Sequence, residues 1–458
     1  MLAFFRYVTA SALLFALASC ASYEPLPLAT KPHLATSLQE LQKQPPDEIF
    51  GKPAKIPRVN PAKPVTANDI ALLALEHNPG LRAARDDRSM AEAQLIQAGV
   101  LPNPQFSGSY DFFLGGPATN DAIGLGLSED IRALIVRGAQ RDAAEYNARK
   151  VDADLLWQEW QTIGKARLLY VDLVEMEKLQ DILKPYRQLL ADRYTHSHQA
   201  LLRGNVDLTT EAPDLAALQS ADKQASDLDR HMQSKWQEID ALLGLEPDVR
   251  FNLESFIPMA TIDPAKIERI LPELPHIRPD LVALQLGYKS QEEKLRAAVL
   301  GQFPALIFGG SYGSDTSRVE SAGPSITFDL PLFDRNQGNI AIETASRKKL
   351  HDEYTSRLDT ATADVKALLA AQVLLQKNYE QTQKALADTV NAAQQADAAF
   401  QAGNLDERGY VDLKTTQVDQ EQQVIALKQA LLEQQVALAT LIGTGMPALA
   451  PSSTGESP

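Results

Sequence analysis

From Asn339 to Ala402 the chain runs for 64 residues without a glycine or a proline. A helix of that length, at 1.5 Å per residue, is about 96 Å long. Leu350, Tyr354, Leu358, Val365 and Leu369 recur at spacings of three, four or seven, the narrow apolar stripe of a helix packed in coiled-coil style. The rest of its surface is Ala, Gln, Thr, Lys and Asp. An ordinary globular core does not use such helices, so the run points to a coiled coil or a tube of helices. Hydrophobic residues make up 44% of the 458, too many for a disordered chain. Beyond the N-terminus no stretch approaches the 20 or so apolar residues of a membrane helix, which excludes a polytopic helical membrane protein. One cysteine excludes a disulfide framework and any Cys-rich zinc site. A net charge of −15 argues against nucleic acid as a partner, because phosphate binding needs a basic surface; it fits simple solubility or a functional acidic surface equally well.

The body of the chain is duplicated. Asn78-Pro79-Gly80-Leu81-Arg82-Ala83 aligns with Arg278-Pro279-Asp280-Leu281-Val282-Ala283 at an offset of 200. Gly108-Ser109-Tyr110 aligns with Gly310-Ser311-Tyr312 at 202. Gly204-Asn205-Val206-Asp207 aligns with Gly403-Asn404-Leu405-Asp406, and Leu242-Leu243-Gly244 with Leu441-Ile442-Gly443, both at 199. A period near 200 is far longer than that of a solenoid. Each unit reads as helix, strand pair, very long helix, turn and long helix. The fold class is therefore mainly α with a small β part, over a first repeat at 66–250, a linker at 251–270 and a second repeat at 271–443.

The strands alternate cleanly, at about 105–114, 122–129, 305–313 and 324–332. Phe106, Tyr110, Phe112, Leu125, Phe308, Tyr312, Ile326 and Phe328 fall on apolar faces, opposite residues such as Ser107, Ser109, Ser311 and Thr327. Strands of about 9–11 residues, apolar outside and polar inside, are the pattern of an outer-membrane barrel, with those eight residues facing lipid. Two soluble hairpins on a core would show the same alternation. Four strands cannot close a membrane barrel, and open edges in lipid leave N–H and C=O groups without partners. If these strands span a membrane, the chain must oligomerise.

The N-terminus adds an address. Residues 1–19 carry Arg6 and an apolar core from Val8 to Leu17, the length of a secretory signal. Leu17-Ala18-Ser19-Cys20 is similar to the bacterial lipobox, which implies that Cys20 is lipidated and becomes the mature N-terminus, with Ala21 favouring the outer membrane. Residues 20–65 contain nine of the 27 prolines, too many for a continuous helix, and read as an extended tether. The Pro/Ser/Gly-rich tail, 444–458, reads as loose.

Together these parts resemble the TolC family of outer-membrane efflux proteins, over residues 66–443. The motifs that carry the resemblance are the duplicated unit, Asn78-Pro79-x-Leu81 opening a helix, Pro102-Asn103-Pro104 before a strand, and the paired Gly-x-x-Asp turns. The run from Pro331 to Asn339 (PLFDRNQGN) is the most specific and is similar to the heavy-metal, CzcC/CusC-like branch. The resemblance implies a homotrimer whose three protomers build a 12-stranded β-barrel on a 12-helix periplasmic α-barrel. It implies a lipid-anchored duct in the outer membrane with a periplasmic extension, docked on a periplasmic adaptor protein and an RND-type inner-membrane pump. Transport would be passive, of metal cations by the implied branch, with a drug-efflux or type I protein-secretion duct as the alternative. A periplasmic coiled-coil adaptor or a structural lipoprotein is the rival from another class.

Candidate sites follow from this reading. Gly204, Asn205, Val206 and Asp207, with Gly403, Asn404, Leu405 and Asp406, form the two helical tips, where glycine ends one helix and aspartate caps the next. The family resemblance makes these tips the adaptor-docking end, with Leu405 as an apolar anchor. Asp388 and Asp397 would ring the pore entrance and attract cations. Pro185 and Pro213, whose counterparts are Lys384 and Asp412, are expected to interrupt or kink the first hairpin. His196-x-His198 reads as exposed polar residues, since i and i+2 point apart on a helix. Asp334-x-Asn336-x-Gly338 lacks the glycine and glutamate of a calcium loop. No catalytic constellation, metal site or cofactor site stands out, so no enzyme is expected.

Overall fold

The computed structural model of the chain describes residues 23–43, 48–49, 52–53, 59–60, 63–115, 120–260 and 262–444. Cys20, the 1–19 segment and the tail beyond residue 444 lie outside these. In the first repeat, α1 (Ala67–His77) and α2 (Pro79–Gly99) precede β1 (Gln105–Asp111), β2 (Ala122–Asp130), α3 (Ile131–Leu202) and α4 (Leu208–Leu243). In the second, α5 (Pro279–Leu300) precedes β3 (Leu306–Ser314), β4 (Glu320–Phe328), α6 (Gln337–Gln401) and α7 (Glu407–Ile442). Among the described residues no helix is long and apolar enough to cross a membrane.

Local chemistry sets the boundaries. Thr66 and Asp69 form a reciprocal capping box at the start of α1. Asn78 caps α2 through a 3.0 Å bond from the Leu81 N–H, with Pro79 at the first helical position. Its Nδ2 also donates to the Leu242 carbonyl at 2.8 Å, which ties the start of α2 to the end of α4. The counterpart Arg278 makes no cap. It forms a two-pronged pair with Asp280, at 3.0 and 2.7 Å, and lies 4.9 Å over the ring of Trp157 from α3. The two repeats are thus clamped together at this point.

The helices bury two main cores. Ile70, Leu73, Leu173, Ile239 and Leu243 join α1, α3 and α4. Val365, Leu369, Leu281 and Leu438 join α5, α6 and α7. The spacing-derived stripe on α6 is realised there, with Tyr354 and Leu358 packed against the same cluster. A smaller cluster of Leu190, Ala221 and Val411 binds α3, α4 and α7 nearer the tips. The N-terminal segment is more than a tether. Ala35, Leu38 and Leu41 are buried, a short helix spans Leu38–Leu41, and Ala35 and Val65 form parallel bridges with Leu245 and Leu253.

Three expectations are corrected. α3 continues through Pro185 for 72 residues, and α4 through Pro213. Pro185 is exposed, so water can bond the carbonyl that its ring leaves free. β1 ends at Asp111, before Phe112, and β4 spans 320–328 rather than 324–332, so Leu330 and Leu332 lie outside the strand. Alternation alone cannot tell a paired residue from an extended one that has left the sheet.

Candidate functional site: the sheet faces and the helical tips

The four strands form one antiparallel sheet in the order β1-β2-β3-β4. Directly opposed residues share a face, so the register sorts the side chains. Phe106 opposes Leu127, Tyr110 opposes Ile123, Leu125 opposes Tyr312, and Phe308 opposes Ile326. Leu306 opposes Phe328 on the same side. Every one of these residues is exposed. The other face is built from glycine and small polar residues: Ser107, Gly126, Ser311 and Gly323 form one row across the sheet, and Ser109, Gly124, Gly313 and Ser321 the next. All eight residues expected on the lipid side are exposed and, with one exception, sit in the apolar face of the sheet. Phe112 lies one residue past β1 and packs edge-on against Tyr110 at 5.0 Å. Glu129 is the charged exception within β2, opposite Phe308. The outer edges of β1 and β4 carry no strand partner among the described residues.

At the far end, the two turns share one geometry. Gly204 and Gly403 take φ of +74° and +73°, the left-handed region. The Asn205 N–H reaches back to the Ala200 carbonyl at 2.9 Å, and the Asn404 N–H to Ala399 at 2.8 Å. Asp207 accepts from the Thr210 N–H at 3.1 Å, and Asp406 from the Gly409 N–H at 2.8 Å. Pro213 leaves the first turn with the same bond pattern as the second. Leu405 is only half exposed, and Val206 likewise. The large apolar side chains standing free here are Leu202 and Leu208 of the first tip. Their second-tip counterparts, by the 199 offset, are Gln401 and Glu407.

Asp388 and Asp397 diverge. Nine residues turn a helix through about 900°, so they lie on opposite sides of α6. Asp397 forms a 2.7 Å pair with Lys414 on α7, and its neighbour Tyr410 stacks on Phe400 at 4.6 Å. Burial and the hydrogen bond to Asp397 push the Tyr410 hydroxyl above its ordinary range. Asp388 is exposed. The two therefore cannot both line one pore.

A charged lattice above the tips was not legible in the sequence. Arg193 of α3 bridges Asp214 of α4 at 2.7 Å and Asp412 of α7 at 2.9 Å. Arg408 of α7 lies 3.6 Å from Asp214 and donates to the Thr210 carbonyl at 2.9 Å. His196 meets Glu407 at 2.7 Å, and His198 meets Glu211 at 3.1 Å. The histidines that read as merely polar thus point to different helices. No local spacing signals these contacts, because most of them cross from one helix to another and several from one repeat to the other. Among the described residues no group of three or more His, Cys, Asp or Glu is placed to hold a metal ion.

Residues 271–444 match the family described as outer membrane efflux protein. This chain is similar to that family over its second repeat. Among curated relatives, outer membrane protein OprJ of Pseudomonas aeruginosa is 28% identical over 49% of this chain and 49% of its own, so that match spans about half of OprJ. The cobalt-zinc-cadmium resistance protein CzcC of Cupriavidus metallidurans is 22% identical over 78% of this chain and 84% of its own. Among solved structures, the outer membrane protein VceC of Vibrio cholerae superposes with a TM-score of 0.68 at 16% identity, covering 83% of this chain and 97% of that one. The matched segment coincides with the second repeat, and the fold shared with VceC extends through both.

Proposed function

We propose that this chain is the outer-membrane exit duct of a tripartite efflux pump. Three copies would close the sheet into a 12-stranded barrel above a 12-helix tube, and substrates would pass without any chemical step. The observation that carries this reading is a sheet whose apolar face is exposed while both outer edges are open. In water such a sheet exposes its largest side chains, and in lipid a single copy leaves its edges unpaired. Closure by further copies resolves both problems and turns the Gly/Ser face inward. Lipidation at Cys20 would fix the chain to the outer membrane. The tips would meet a periplasmic adaptor, with Leu202 and Leu208 joining Leu405 as apolar contacts, and an RND-type pump would drive transport. Metal cations are the proposed cargo, supported by the Pro331–Asn339 run and by the name of the relative CzcC. Asp388 is the better placed of the two aspartates to attract them.

The test is the purified outer-membrane fraction. A heat-sensitive trimer on gels, cation-selective conductance in planar bilayers, and a deletion strain sensitised to cobalt, zinc or cadmium are expected. A chain extracted as a soluble monomer would overturn the duct. Sensitisation to organic drugs alone would move the cargo to the drug-efflux class.

A further inference from the structure

The chain contains one unit-to-unit interface, in which β2 pairs with β3, α3 packs against α5, and α3 meets α7. The opposite flank of each unit, with β1 and α2 on one side and β4 and α6 on the other, has nothing against it among the described residues. The duplication relates the two flanks residue by residue. Offsets of 202 for β1 onto β3 and 199 for β2 onto β4 convert the pair Gly108–Leu125 into Gly310–Pro324, which is the observed pair. Offsets of 200 for α2 and 199 for α3 convert the contact Arg88–Asp152 into Tyr288–His351, also observed. The same offsets can then be applied to the interface between units.

We propose that copies of this chain join by repeating that internal interface, so that its register fixes the seam between them. This rests on the reading of the chain as an oligomeric barrel. In the sheet, the pair Leu125–Tyr312 becomes Pro324 opposite Tyr110 of the next copy. Ser325 then faces Ser109, and Ile326 faces Gly108. Apolar residues stay on the apolar face and serines on the polar one. In the tube, the Ser290 hydroxyl donates to the Ala143 carbonyl at 2.7 Å, and Gly287 lies against the Lys150 side chain. Their images are Met90 with Ile342, and Asp87 with Lys349.

Two features of the single chain fit this seam. Met90 and Ile342 are 56% and 61% exposed, and the seam puts them together. Asp87 and Lys349 are both exposed, and the seam pairs opposite charges. A third feature lies near the middle of α6. Leu374 is 60% exposed, whereas its counterpart Glu175 is 1% exposed. Glu175 is held there by Lys428 of α7 at 3.2 Å. The counterpart of α7 is α4, so α4 of the next copy would cover Leu374.

Cysteine pairs test the register in the full-length chain expressed in outer membranes. Neighbouring pairs in an antiparallel ladder alternate between hydrogen-bonded and non-bonded geometry, so two adjacent pairs are needed. Ser109→Cys with Ser325→Cys, or Gly108→Cys with Ile326→Cys, should give a covalent ladder on non-reducing gels. Met90→Cys with Ile342→Cys should do the same, and none of the single variants should. Ser109→Cys with Ser321→Cys should stay uncoupled. Lys349→Glu should lower the temperature at which the multimer dissociates, and adding Asp87→Lys should restore it. Multimers seen by sedimentation in mild detergent, but coupling through Ser109–Ser321, would overturn the register and spare the barrel. Monomers in that experiment would overturn the barrel reading and the seam together.

Discussion

At Asp240 a single side chain carries a pH dependence. It is buried on α4, accepts from the Asp248 N–H at 3.1 Å and lies 3.3 Å from Arg250. Burial pushes its carboxyl up to about 6, against the pull of Arg250. The folded chain therefore holds this proton more tightly than the unfolded chain. That contribution to stability is complete below the unfolded carboxylate range and is lost as pH rises through about 6. Thermal melts between pH 4 and 7 should show this decline, and Asp240→Asn should flatten it; an unchanged profile would place the titration elsewhere. At the tips, Leu208→Glu should leave the trimer folded and reduce efflux more than Leu405→Glu, because Leu208 stands free and Leu405 is partly covered by its own turn. Equal resistance of the Leu208→Glu strain and the wild type, at matched trimer levels, would remove the first tip from docking.

The strands and long helices set the next level. Leu125 lies midway along β2, so Leu125→Arg should cost about 2–4 kcal/mol of assembly if it meets the bilayer midplane. Phe328 ends β4, and Phe328→Arg should cost less, since the penalty falls towards the interface. Ser107→Arg, on the Gly/Ser face, should assemble and change conductance. Heat dissociation of each variant checks the ranking, and a milder effect at Leu125 than at Ser107 would reverse the faces. In α3, Pro185 costs the helix a hydrogen bond, roughly 3 kcal/mol in an ordinary interior, offset by roughly 1 kcal/mol of unfolded-state entropy. Pro185→Ala should therefore raise stability by roughly 2 kcal/mol in denaturant titration without altering the tip, whose bond pattern already matches that of the second hairpin.

For the whole molecule, the proposed anchor and the proposed assembly are expected to be separable. Cys20→Ser should abolish palmitate labelling and leave a misprocessed precursor, while chains that still reach the membrane should trimerise through the sheet and tube. Unchanged palmitate incorporation would end the lipoprotein reading.

The sequence by itself determined the helices, the strand faces and the duplication. These rest on periodicity, on glycine and proline positions and on spacing, all of which act within a few residues or repeat along the chain. The tip turns are legible for the same reason: Gly204 and Gly403 need no distant partner to adopt a positive φ. Only the tertiary structure decided that Asp397 is tied to Lys414 while Asp388 is free to face water, that Arg193 joins three helices, and that Pro185 leaves its helix intact. The ion pairs depend on which helix lies alongside another, and the intact helix depends on Pro185 standing on a face that no other helix covers. That arrangement is set by packing between residues far apart in the chain, from the 17 positions between Asp397 and Lys414 to the 219 between Arg193 and Asp412, distances over which local pattern carries no signal.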